Sequence, residues 1–580
     1  MAISNGVNNK KWVLAPKISE EFKNQFPEIN PIILQLLYSR GFKTQKEIDE
    51  FLLPDYSQDL HDPFIFQDMD KAVERIYQAI ANKEKILIFG DYDTDGVTAS
   101  SLLITIFKKI GAENVDVYIP DREAEGYSLN IGAMEKFIQQ GINLIVTCDC
   151  GITGIKEIDL ANQNGIDVIV TDHHLEPKIL PQAYAIINPQ LSREKYPFKP
   201  LAGVGVAFKL SQALLKSEKC QLANKEATEK WLLDLVAVGT IGDMMPVLGE
   251  NRTLIKYGLK VLNKTQNRGL RLLIEKAGLT LGNISADNVG YQISPRLNAA
   301  GRMNHANDAL DLLLATDAQQ SQKLADKINS LNEARQREVD KIFKTIQNSL
   351  GEAPKEKLLL VDGEDWKLGT LGLIAGKLCD YYCRPVLAFS KTNDKLSGRG
   401  RSPSVFHLYN ALNKLTQYYL DFGGHAAAAG FSLKNPAEIE QFKRDISAIA
   451  EEELKSADFR PTLNIDSEIK IDEINWELYE EIEKFNPFGK NNPSPNFLFQ
   501  EIELKNIEIV GQNGEHRRLI VGGGALSRKM IFFGAENKVK DIKIGDKLDV
   551  VFQLSVNQWN GQQELQMKVI DLRKANKLIS

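Results

Sequence analysis

LIFGDYDTDG, residues 87–96, is an apolar run that ends in three aspartates at alternating positions. The apolar residues predict a buried strand, and residues two apart on extended backbone share one face. Asp91, Asp93 and Asp95 would then crowd their carboxylates at the strand's exit, which is unfavourable unless a cation lies among them. A solvated acidic turn explains the same letters, because Asp95-Gly96 is a common turn dipeptide. This stretch alone leaves the metal site and the turn equally open.

The segments around this stretch alternate between strand-like and helix-like patterns. The strand-like segments are short and apolar, and they read KILIFGDYD, NVDVYIP, INLIVTCDCG and IDVIVTDHH. Helix-like segments such as GVTASSLLITIFKKIGA separate them. This alternation predicts an α/β fold, with a parallel sheet covered by helices on both faces. The functional site is then expected beyond the carboxyl ends of the strands.

Acidic and histidine residues follow the predicted strands. Asp91, Asp93 and Asp95 follow LIFG, Asp149 follows LIVTC, and Asp172, His173 and His174 follow VIVT. A further acid, Asp243, lies in GTIGDMMPVLGENR. An isolated aspartate here could be a helix cap, and a histidine pair could lie on the surface. The agreement among three strand ends favours a metal site. Carboxylates with one or two imidazoles suit Mn²⁺ or Mg²⁺ better than metals that prefer thiolates.

Length and composition limit the class of protein. A chain of 580 residues predicts roughly three or four domains, and 43% hydrophobic with 26% charged residues is typical of globular proteins. Short apolar runs and an N-terminus without a hydrophobic signal segment predict no membrane insertion and a cytoplasmic location. Five cysteines fit a reducing compartment, and Cys148 and Cys150 are interpreted as small buried residues at a strand end. The net charge of −6 still allows a local basic channel.

Changes of pattern along the chain predict five regions. Residues 1–75 form a helical extension packed on the core, and residues 76–316 form a first α/β domain. A long helix without Gly or Pro follows at 317–350, then a second α/β lobe at 351–455 and a small β-barrel at 461–575. The connecting helix is polar, which predicts a solvated face. AGVGVAF, residues 202–208, lacks the third glycine of a dinucleotide fingerprint and predicts close helix packing.

Two groups of motifs carry a resemblance to a known family. GDYDTDG, VTCDCGI, VTDHH and GTIGDMMPVLGENR resemble, in this order, the motifs of the DHH phosphoesterase superfamily. DREAEGYSLN, PRLNAAGRM, LSGRGRS, GGHAAAAGFSL and PFGKNNPSPNF are similar to its RecJ branch, the bacterial 5′ exonucleases specific for single strands. The resemblance covers nearly the whole chain. Ser128, Gly242 and Asn491 replace the usual Gly, Ala and Gly, and no presumed metal ligand is lost.

The resemblance implies a DHH catalytic domain, a DHH-associated domain in the second lobe and a C-terminal oligonucleotide-binding (OB) barrel. It also implies two divalent ions, Mn²⁺ or Mg²⁺, in each active site. The implied ligands are Asp91 and Asp93 for one ion, Asp95, His173 and Asp243 for the other, and Asp149 as the bridge. Asp91 could instead orient its loop. Two such ions can lower the pKa of a shared water and stabilise the leaving oxygen.

Further residues are candidates for contacts with the substrate. His174 would contact the scissile phosphate, and Asp172 would position an imidazole, although a loop cap explains Asp172 equally well. The resemblance points to Arg122, Arg302, Ser397, Arg399 and His425 for the 5′ phosphate and the strand. Guanidinium groups suit a dianionic phosphate, but glycine–arginine alternation also occurs in exposed turns, and a histidine can simply end a tight turn. Barrel candidates, which a solvated surface explains equally well, are Arg517, Arg518, Arg528, Lys529 and Trp559.

Taken with the resemblance, the sequence predicts a metal-dependent exonuclease that hydrolyses single-stranded DNA from its 5′ end to mononucleotides. DNA repair and recombination, a monomeric state, and a helicase with a single-strand-binding protein as partners are implied. One alternative is a DHH phosphodiesterase of short RNA or cyclic dinucleotides, although the added barrel and N-terminal extension favour long DNA. Another is a nonenzymatic replication partner that has lost its ligands, and the intact ligand set argues against it. The motifs do not distinguish DNA from RNA.

Overall fold

The computed structural model describes residues 10–364, 366–392, 395–524, 526–559 and 561–575, without the side chains of residues 392, 558 and 559. The described chain forms two compact units. One is Asp55–Phe459, and the other joins the residues before Asp55 to those after Phe459. Within the described part, no helix is both long and apolar enough to cross a bilayer.

The N-terminal segment contains one strand and three short helices, β1 (Lys11–Leu14), α1 (Glu20–Gln25), α2 (Pro31–Ser39) and α3 (Gln45–Leu52). Local sequence sets the helix starts. Pro31 opens α2 behind the Asn30 cap, and Thr44 and Glu47 form a capping box at α3.

The first α/β domain is built on a parallel sheet with the strand order β3-β2-β4-β5-β6. Its elements are α4 (Met69–Ala81), β2 (Ile86–Gly90), α5 (Thr94–Lys109), β3 (Val115–Tyr118), α6 (Ile131–Gln140), β4 (Leu144–Cys148), α7 (Ile155–Gln163), β5 (Asp167–Thr171), β6 (Ala185–Ile187) and α8 (Gly203–Lys216). Ile86 and Ile88 pack in one core cluster, and Leu87 and Phe89 in another. Both faces of β2 are therefore covered, which explains its uninterrupted apolar run.

Helices complete this domain and lead to the connecting helix. They are α9 (Lys225–Trp231), α10 (Leu233–Gly242), α11 (Gly249–Leu262), α12 (Arg268–Lys276), α13 (Ala286–Asn288), a π-turn (Val289–Ile293), α14 (Ser294–Met303), α15 (Asn307–Leu314) and α16 (Ala318–Leu350). The residues from Leu233 to Ile241 in α10 are all buried, so this helix is surrounded by the rest of the domain on every side. The Asp317 side chain caps α16 by accepting from the Gln320 N–H.

The second lobe has a mixed sheet with the strand order β10-β11-β9-β8-β7, in which only β7 and β8 are parallel. Its elements are β7 (Leu359–Glu364), α17 (Leu368–Tyr382), β8 (Val386–Thr392), β9 (Lys395–Arg401), α18 (Leu408–Asn413), β10 (Tyr419–Gly424), β11 (Ala428–Leu433) and α19 (Ile439–Glu453). The pairing of β9 with β11 brings the LSGRGRS and GGHAAAAGFSL motifs onto neighbouring strands.

The C-terminal region is a barrel in which β14, β15, β16, β18 and β17 pair in sequence and β17 closes onto β14. Its elements are β12 (Thr462–Ile465), β13 (Ser467–Glu468), α20 (Trp476–Glu483), β14 (Phe497–Val510), β15 (His516–Gly523), β16 (Leu526–Phe532), β17 (Lys547–Trp559) and β18 (Gln562–Lys574). Single 3-10 turns occupy Pro63–Ile65, Thr416–Tyr418, Pro436–Glu438 and Ile471–Glu473. The predicted α/β fold with a connecting helix, a second α/β lobe and a C-terminal barrel is confirmed.

The N-terminal extension corrects one expectation. Residues 10–54 belong to the same compact unit as the barrel, and only residues 55–75 of the predicted extension belong to the unit of the α/β domains. β1 pairs in parallel with β12, and the buried Trp12 donates from Nε1 to Asp571 Oδ2 at 2.8 Å. The Arg573 guanidinium lies 4.2 Å from the centre of the same ring. These long-range contacts do not follow from local sequence pattern, which is why the sequence did not predict them.

Candidate metal centre

Three neighbouring strands bring aspartates to one edge of the parallel sheet. β4 pairs with β2 on one side and β5 on the other, and the last residues of the three strands are in register. The next residues are the buried Asp91, Asp149 and Asp172. Asp149 has a φ of 63°, which non-glycine residues seldom adopt. The surrounding structure therefore holds the Asp149 carboxylate in place at some conformational cost.

The first acidic motif reaches this edge differently from the prediction. The three aspartates do not alternate on one strand, because β2 ends at Gly90 and α5 begins at Thr94. Asp93 is the N-cap of α5, and its Oδ1 accepts from the N–H groups of Asp95 and Gly96 at 2.9 and 3.1 Å. A turn and a helix start therefore bring the carboxylates together, not extended backbone.

The predicted ligands converge into small groups. Within each group the ligand atoms all lie within 4.8 Å of one another, and the groups are Asp91, Asp93 and Asp149; Asp95, His173 and Asp243; and Asp149, His173 and His174. The first two correspond to the two ligand sets that the resemblance implies. Asp149 and His173 each belong to two groups, so neighbouring ion positions would share these side chains.

His173 is oriented as a ligand. Its Nε2 lies 3.0 Å from Asp149 Oδ1, 3.7 Å from Asp243 Oδ2 and 3.8 Å from Asp95 Oδ2. The ring is also hydrogen-bonded to the backbone of Leu201, and burial together with the charge of His174 lowers the pKa of His173 to about 4. The imidazole is therefore neutral at physiological pH, as a metal ligand must be.

The environment of the carboxylates favours bound cations. Asp91 Oδ1 and Asp149 Oδ1 are buried and accept no hydrogen bond in the described chain, because His173 Nε2, although close to Asp149 Oδ1, is not aligned for one. Burial first, and then repulsion from neighbouring aspartates, raises the pKa of Asp91, Asp95 and Asp149. Hard oxygen donors with one imidazole are the ligands that Mn²⁺ and Mg²⁺ accept. The residues present therefore fit divalent ions of this class.

Packing around Asp95 explains the glycines of AGVGVAF. Oδ2 and Oδ1 of Asp95 accept from the N–H groups of Gly203 and Val204, at 2.7 and 2.8 Å. These residues form the first turn of α8, which approaches Asp149 so closely that a side chain at Gly203 would overlap it. The prediction of close helix packing, rather than dinucleotide binding, agrees with this arrangement.

His174 is held beside the ligand atoms by a polar network. Asp172 Oδ1 lies 2.7 Å from His174 Nδ1, and it also accepts from the N–H groups of His173 and His174. Burial lowers the pKa of His174, but the hydrogen bond to Asp172 and its charge outweigh burial and raise it to about 9. Without bound metal ions, this pKa keeps His174 protonated at neutral pH. Asp172 combines the two roles that the sequence left open, since it caps a loop and orients an imidazole.

The predicted phosphate-binding arginines of the first domain lie beside this centre. The Arg122 guanidinium stacks 3.8 Å from the centre of the Tyr92 ring, and Tyr92 stands between Asp91 and Asp93 in the sequence. Arg302 donates from Nη1 to the Gly369 carbonyl at 2.8 Å, which joins the first domain to α17 of the second lobe. Burial, and then the charge of Arg122, lowers the pKa of Arg302 to about 9. Neither arginine forms a direct ion pair with a carboxylate of the described residues, although Asp93 acts on Arg302 and Arg122 acts on Asp91 through their charges.

Comparison with known proteins explains this combination of domains. Three family models match, and they are the DHH family N-terminal domain at residues 85–240, the DHHA1 domain at 355–452 and the RecJ OB domain at 465–571. The single-stranded-DNA-specific exonuclease RecJ of Bacillus subtilis is 35% identical over 546 residues, which are 94% of this chain and 68% of that protein. The chain belongs to the RecJ family.

Solved RecJ structures carry the expected metals. RecJ of Thermus thermophilus in complex with Mn²⁺ matches with a TM-score of 0.83 and 28% identity, covering 98% of this chain and 80% of that one. Its complex with Mg²⁺ matches with a TM-score of 0.77 and 27% identity, covering 98% and 79%. The prediction of Mn²⁺ or Mg²⁺ as the metal is confirmed for the RecJ family.

The second lobe contributes the remaining RecJ-type candidates. In β9, Ser397 pairs with Ser432 and Arg399 with Gly430, and the two serine hydroxyls lie 3.0 Å apart. Burial raises the pKa of Tyr92 in the first domain, and the charge of Arg399 in the second lobe partly lowers it. The two lobes therefore face each other here. His425 is exposed in the turn between β10 and β11, where its N–H donates to the Ala428 carbonyl at 2.7 Å.

The barrel candidates divide between two faces. Arg518 and Lys529 share one face and line a shallow cleft, and Arg518 Nη1 lies 3.1 Å from Glu508 Oε2. Arg517 and Arg528 lie on the other face, where they donate to the carbonyls of Gly514 and Ile474 at 2.6 and 3.0 Å. Trp559 ends β17, and its side chain lies outside the described part.

Two further residues lie at the site that the sequence motifs of this RecJ-family chain did not identify. The Tyr127 hydroxyl lies 3.1 Å from His174 Nδ1 and 3.3 Å from the Asp149 carbonyl oxygen. Asn298 Oδ1 accepts from the Thr94 N–H at 3.0 Å and so fixes the loop that carries Asp93. Both residues lie inside quoted motifs, DREAEGYSLN and PRLNAAGRM, which was the available signal.

Proposed function

We propose that this RecJ-family chain hydrolyses single-stranded DNA from the 5′ end and releases mononucleotides with the help of two divalent ions. The observation that carries the proposal is the pair of adjacent ligand groups. Asp149 belongs to the first group, and its Oδ1 lies 3.0 Å from Nε2 of His173 in the second. The specificity of the Bacillus subtilis relative for single-stranded DNA supports the choice of substrate.

The ligand assignment follows the two groups. One ion would be held by Asp91, Asp93 and Asp149, and the other by Asp95, His173, Asp243 and the shared Asp149. When bound, the two ions would supply positive charge at the phosphoryl oxygens and lower the pKa of a water molecule. The protonated His174 ring donates to the scissile phosphate, and Asp172 keeps that ring charged and oriented.

The direction of hydrolysis depends on recognition of the strand's end. Arg122 and Arg302 from the first domain, with Ser397 and Arg399 from the second lobe, form the proposed 5′-phosphate site. Guanidinium groups without a protein carboxylate beside them suit a dianionic phosphate. A terminal phosphate bound by these residues beside the metal centre would place the first phosphodiester at the ions, so mononucleotides would be released in the 5′→3′ direction.

The biological setting is also part of the proposal. The chain acts in DNA repair and recombination in the cytoplasm, as a monomer, on strands that a helicase opens and a single-strand-binding protein presents. In this proposal residues 76–316 and 351–455 perform the hydrolysis. His425 and the barrel within residues 461–575, with Arg517, Arg518, Arg528, Lys529 and Trp559, bind the strand. The exposure of Arg518 and Lys529 on one barrel face supports that role.

Product analysis tests the proposal. The purified chain is incubated with Mn²⁺ or Mg²⁺ and a 3′-labelled single-stranded DNA, its duplex, or an RNA of the same sequence, each with a 5′ phosphate. Mononucleotides lost stepwise from the 5′ end of the single-stranded DNA are expected. Loss from the 3′ end would overturn the polarity, and cleavage confined to dinucleotides would indicate a small-substrate phosphodiesterase. No cleavage, with tight strand binding, would indicate a binding protein.

A further inference from the structure

Some arginines of the described chain form ordinary ion pairs with Asp or Glu. Arg75, for example, contacts Glu84 and Asp167 at 2.7 and 2.6 Å. Among the described arginines without an ion pair to Asp or Glu, five lie close enough to one another for their charges to interact: Arg122, Arg302, Arg335, Arg399 and Arg401. Four of the five lie in motifs of the RecJ resemblance. Arg335 lies outside them, on the connecting helix α16.

Arg335 is held in position by a neighbour on the same helix. Its Nη2 donates to Asn332 Oδ1 at 2.8 Å, and Asn332 is 1% exposed. Its Nε is buried and has no hydrogen-bond partner in the described chain. A buried guanidinium donor without an acceptor costs free energy, so the group is arranged for something other than stability.

Contacts place Arg335 close to Arg302. Arg302 donates to the Gly369 carbonyl in the first turn of α17. The next residue, Thr370, donates from Oγ1 to Glu338 Oε1 at 3.2 Å, and Glu338 lies one turn after Arg335 on α16. Both guanidinium groups therefore lie near the start of α17, and the charge of Arg335 is one cause of the lowered pKa of Arg302.

The start of α17 adds to the positive potential. Lys367 is its N-cap residue and makes no side-chain capping hydrogen bond. Backbone N–H groups at a helix N-terminus attract anions, and two unpaired arginines beside them strengthen the effect. Burial and then the charge of Arg296 lower the pKa of Arg335, while the charge of Asp340 raises it. The charge of Arg122 lowers the pKa of Arg302 in the same way. The arginines thus extend from the proposed 5′-phosphate site towards α16.

We propose that Arg335, positioned by Asn332, binds a backbone phosphate of the single strand in a subsite that it shares with Arg302 at the start of α17. The inference rests on the proposed function, because it assumes that the strand occupies the space between the two lobes. A phosphodiester supplies an acceptor for the accessible part of the Arg335 guanidinium and neutralises the charge that repels Arg302. The connecting helix is then part of the substrate site and not only a spacer.

The test compares Arg335→Gln with Arg337→Gln on the same helix. Arg337 is the matched control because its side chain is 72% exposed and pairs with Glu333. We would measure kcat and KM on 5′-phosphorylated oligonucleotides of two and twelve nucleotides across a range of KCl concentrations. For the longer substrate, Arg335→Gln should raise KM about tenfold with little change in kcat. The slope of log(kcat/KM) against log[KCl] should become shallower by about 0.7, as for one lost phosphate contact on a single strand.

Each outcome decides the inference. An unchanged salt slope in Arg335→Gln, or an equal loss on the dinucleotide, would overturn the backbone-phosphate role. Arg335→Lys keeps the charge but not the fork that reaches Asn332, so it should retain the wild-type slope; a purely structural role predicts that it fails like Arg335→Gln. If the wild-type chain itself shows no hydrolysis of single-stranded DNA, the proposed function fails and not only this subsite.

Discussion

A Cβ atom on Gly203 would lie 2.5 Å from the Cβ of Asp149, closer than any two such atoms can approach. Gly203 opens α8, and its N–H also donates to Asp95 at 2.7 Å. One residue therefore packs against the proposed bridging ligand and hydrogen-bonds a second ligand. The position of α8 and the geometry of the metal centre are coupled at this contact.

Gly203→Ala is expected to displace Asp149 and so to weaken Mn²⁺ binding. Overpacking of this kind costs about 1–3 kcal/mol of folding free energy. The control is Gly205→Ala, two residues further along α8, where the nearest atom would be a Leu201 methyl at 3.3 Å. Calorimetric titration with Mn²⁺ measures the affinity of both variants. Equal affinities would show that the Gly203 contact does not control the ligand geometry.

Asp149→Asn is expected to separate stability from activity. Burial and neighbouring carboxylates make the folded metal-free protein hold a proton on Asp149, whereas asparagine is neutral without one, so the melting temperature in EDTA should rise. The increase in melting temperature on adding Mn²⁺ should shrink, and kcat should fall by on the order of 100–1000-fold or more. Strand binding should remain. Asp116→Asn, on the exposed side of β3, is the control, and activity near the wild-type level in Asp149→Asn would contradict the bridging role.

Asp172→Asn is expected to change the titration of His174. The folded pKa of about 9 exceeds the unfolded value of about 6.5, so this pair stabilises the fold fully below pH 6.5 and loses the effect as pH rises through 9. Without the Asp172 charge, burial lowers the pKa of His174, and kcat should fall about 10–100-fold at neutral pH. NMR of ¹³C-labelled histidine, assigned with His174→Gln, measures the pKa. An unchanged value would refute the role of Asp172.

Metal binding should release protons. Burial and neighbouring charges raise the pKa of Asp91 to about 8 and of Asp95 to about 7, above the unfolded values. The metal-free protein should therefore lose stability as pH rises through 7 and 8, while Mn²⁺ affinity should rise over the same range. Calorimetry in two buffers of different ionisation enthalpy counts the protons released. A release of zero at pH 7 would contradict the raised pKa values.

Local sequence was sufficient to predict most of the framework. The apolar runs of β2, β4 and β5 are buried on both faces, and residues with ligand chemistry follow each of them. Parallel strands share one carboxyl edge, so the convergence of Asp91, Asp149 and His173 could be predicted without coordinates. The same reasoning failed for the alternating aspartates, because an aspartate that caps a helix ends the strand early.

The sequence by itself determined the order of strands and helices, the chemical nature of the ligands and the division into lobes and barrel. Only the tertiary structure decided which residues meet: Gly203 with Asp149, Trp12 with Asp571, and Glu338 of α16 with Thr370 of α17. The physical reason is the range of the interactions. Local hydrogen bonding and the periodicity of apolar residues act over a few residues. These contacts instead join segments that are far apart in the chain, and they depend on how whole helices and strands pack.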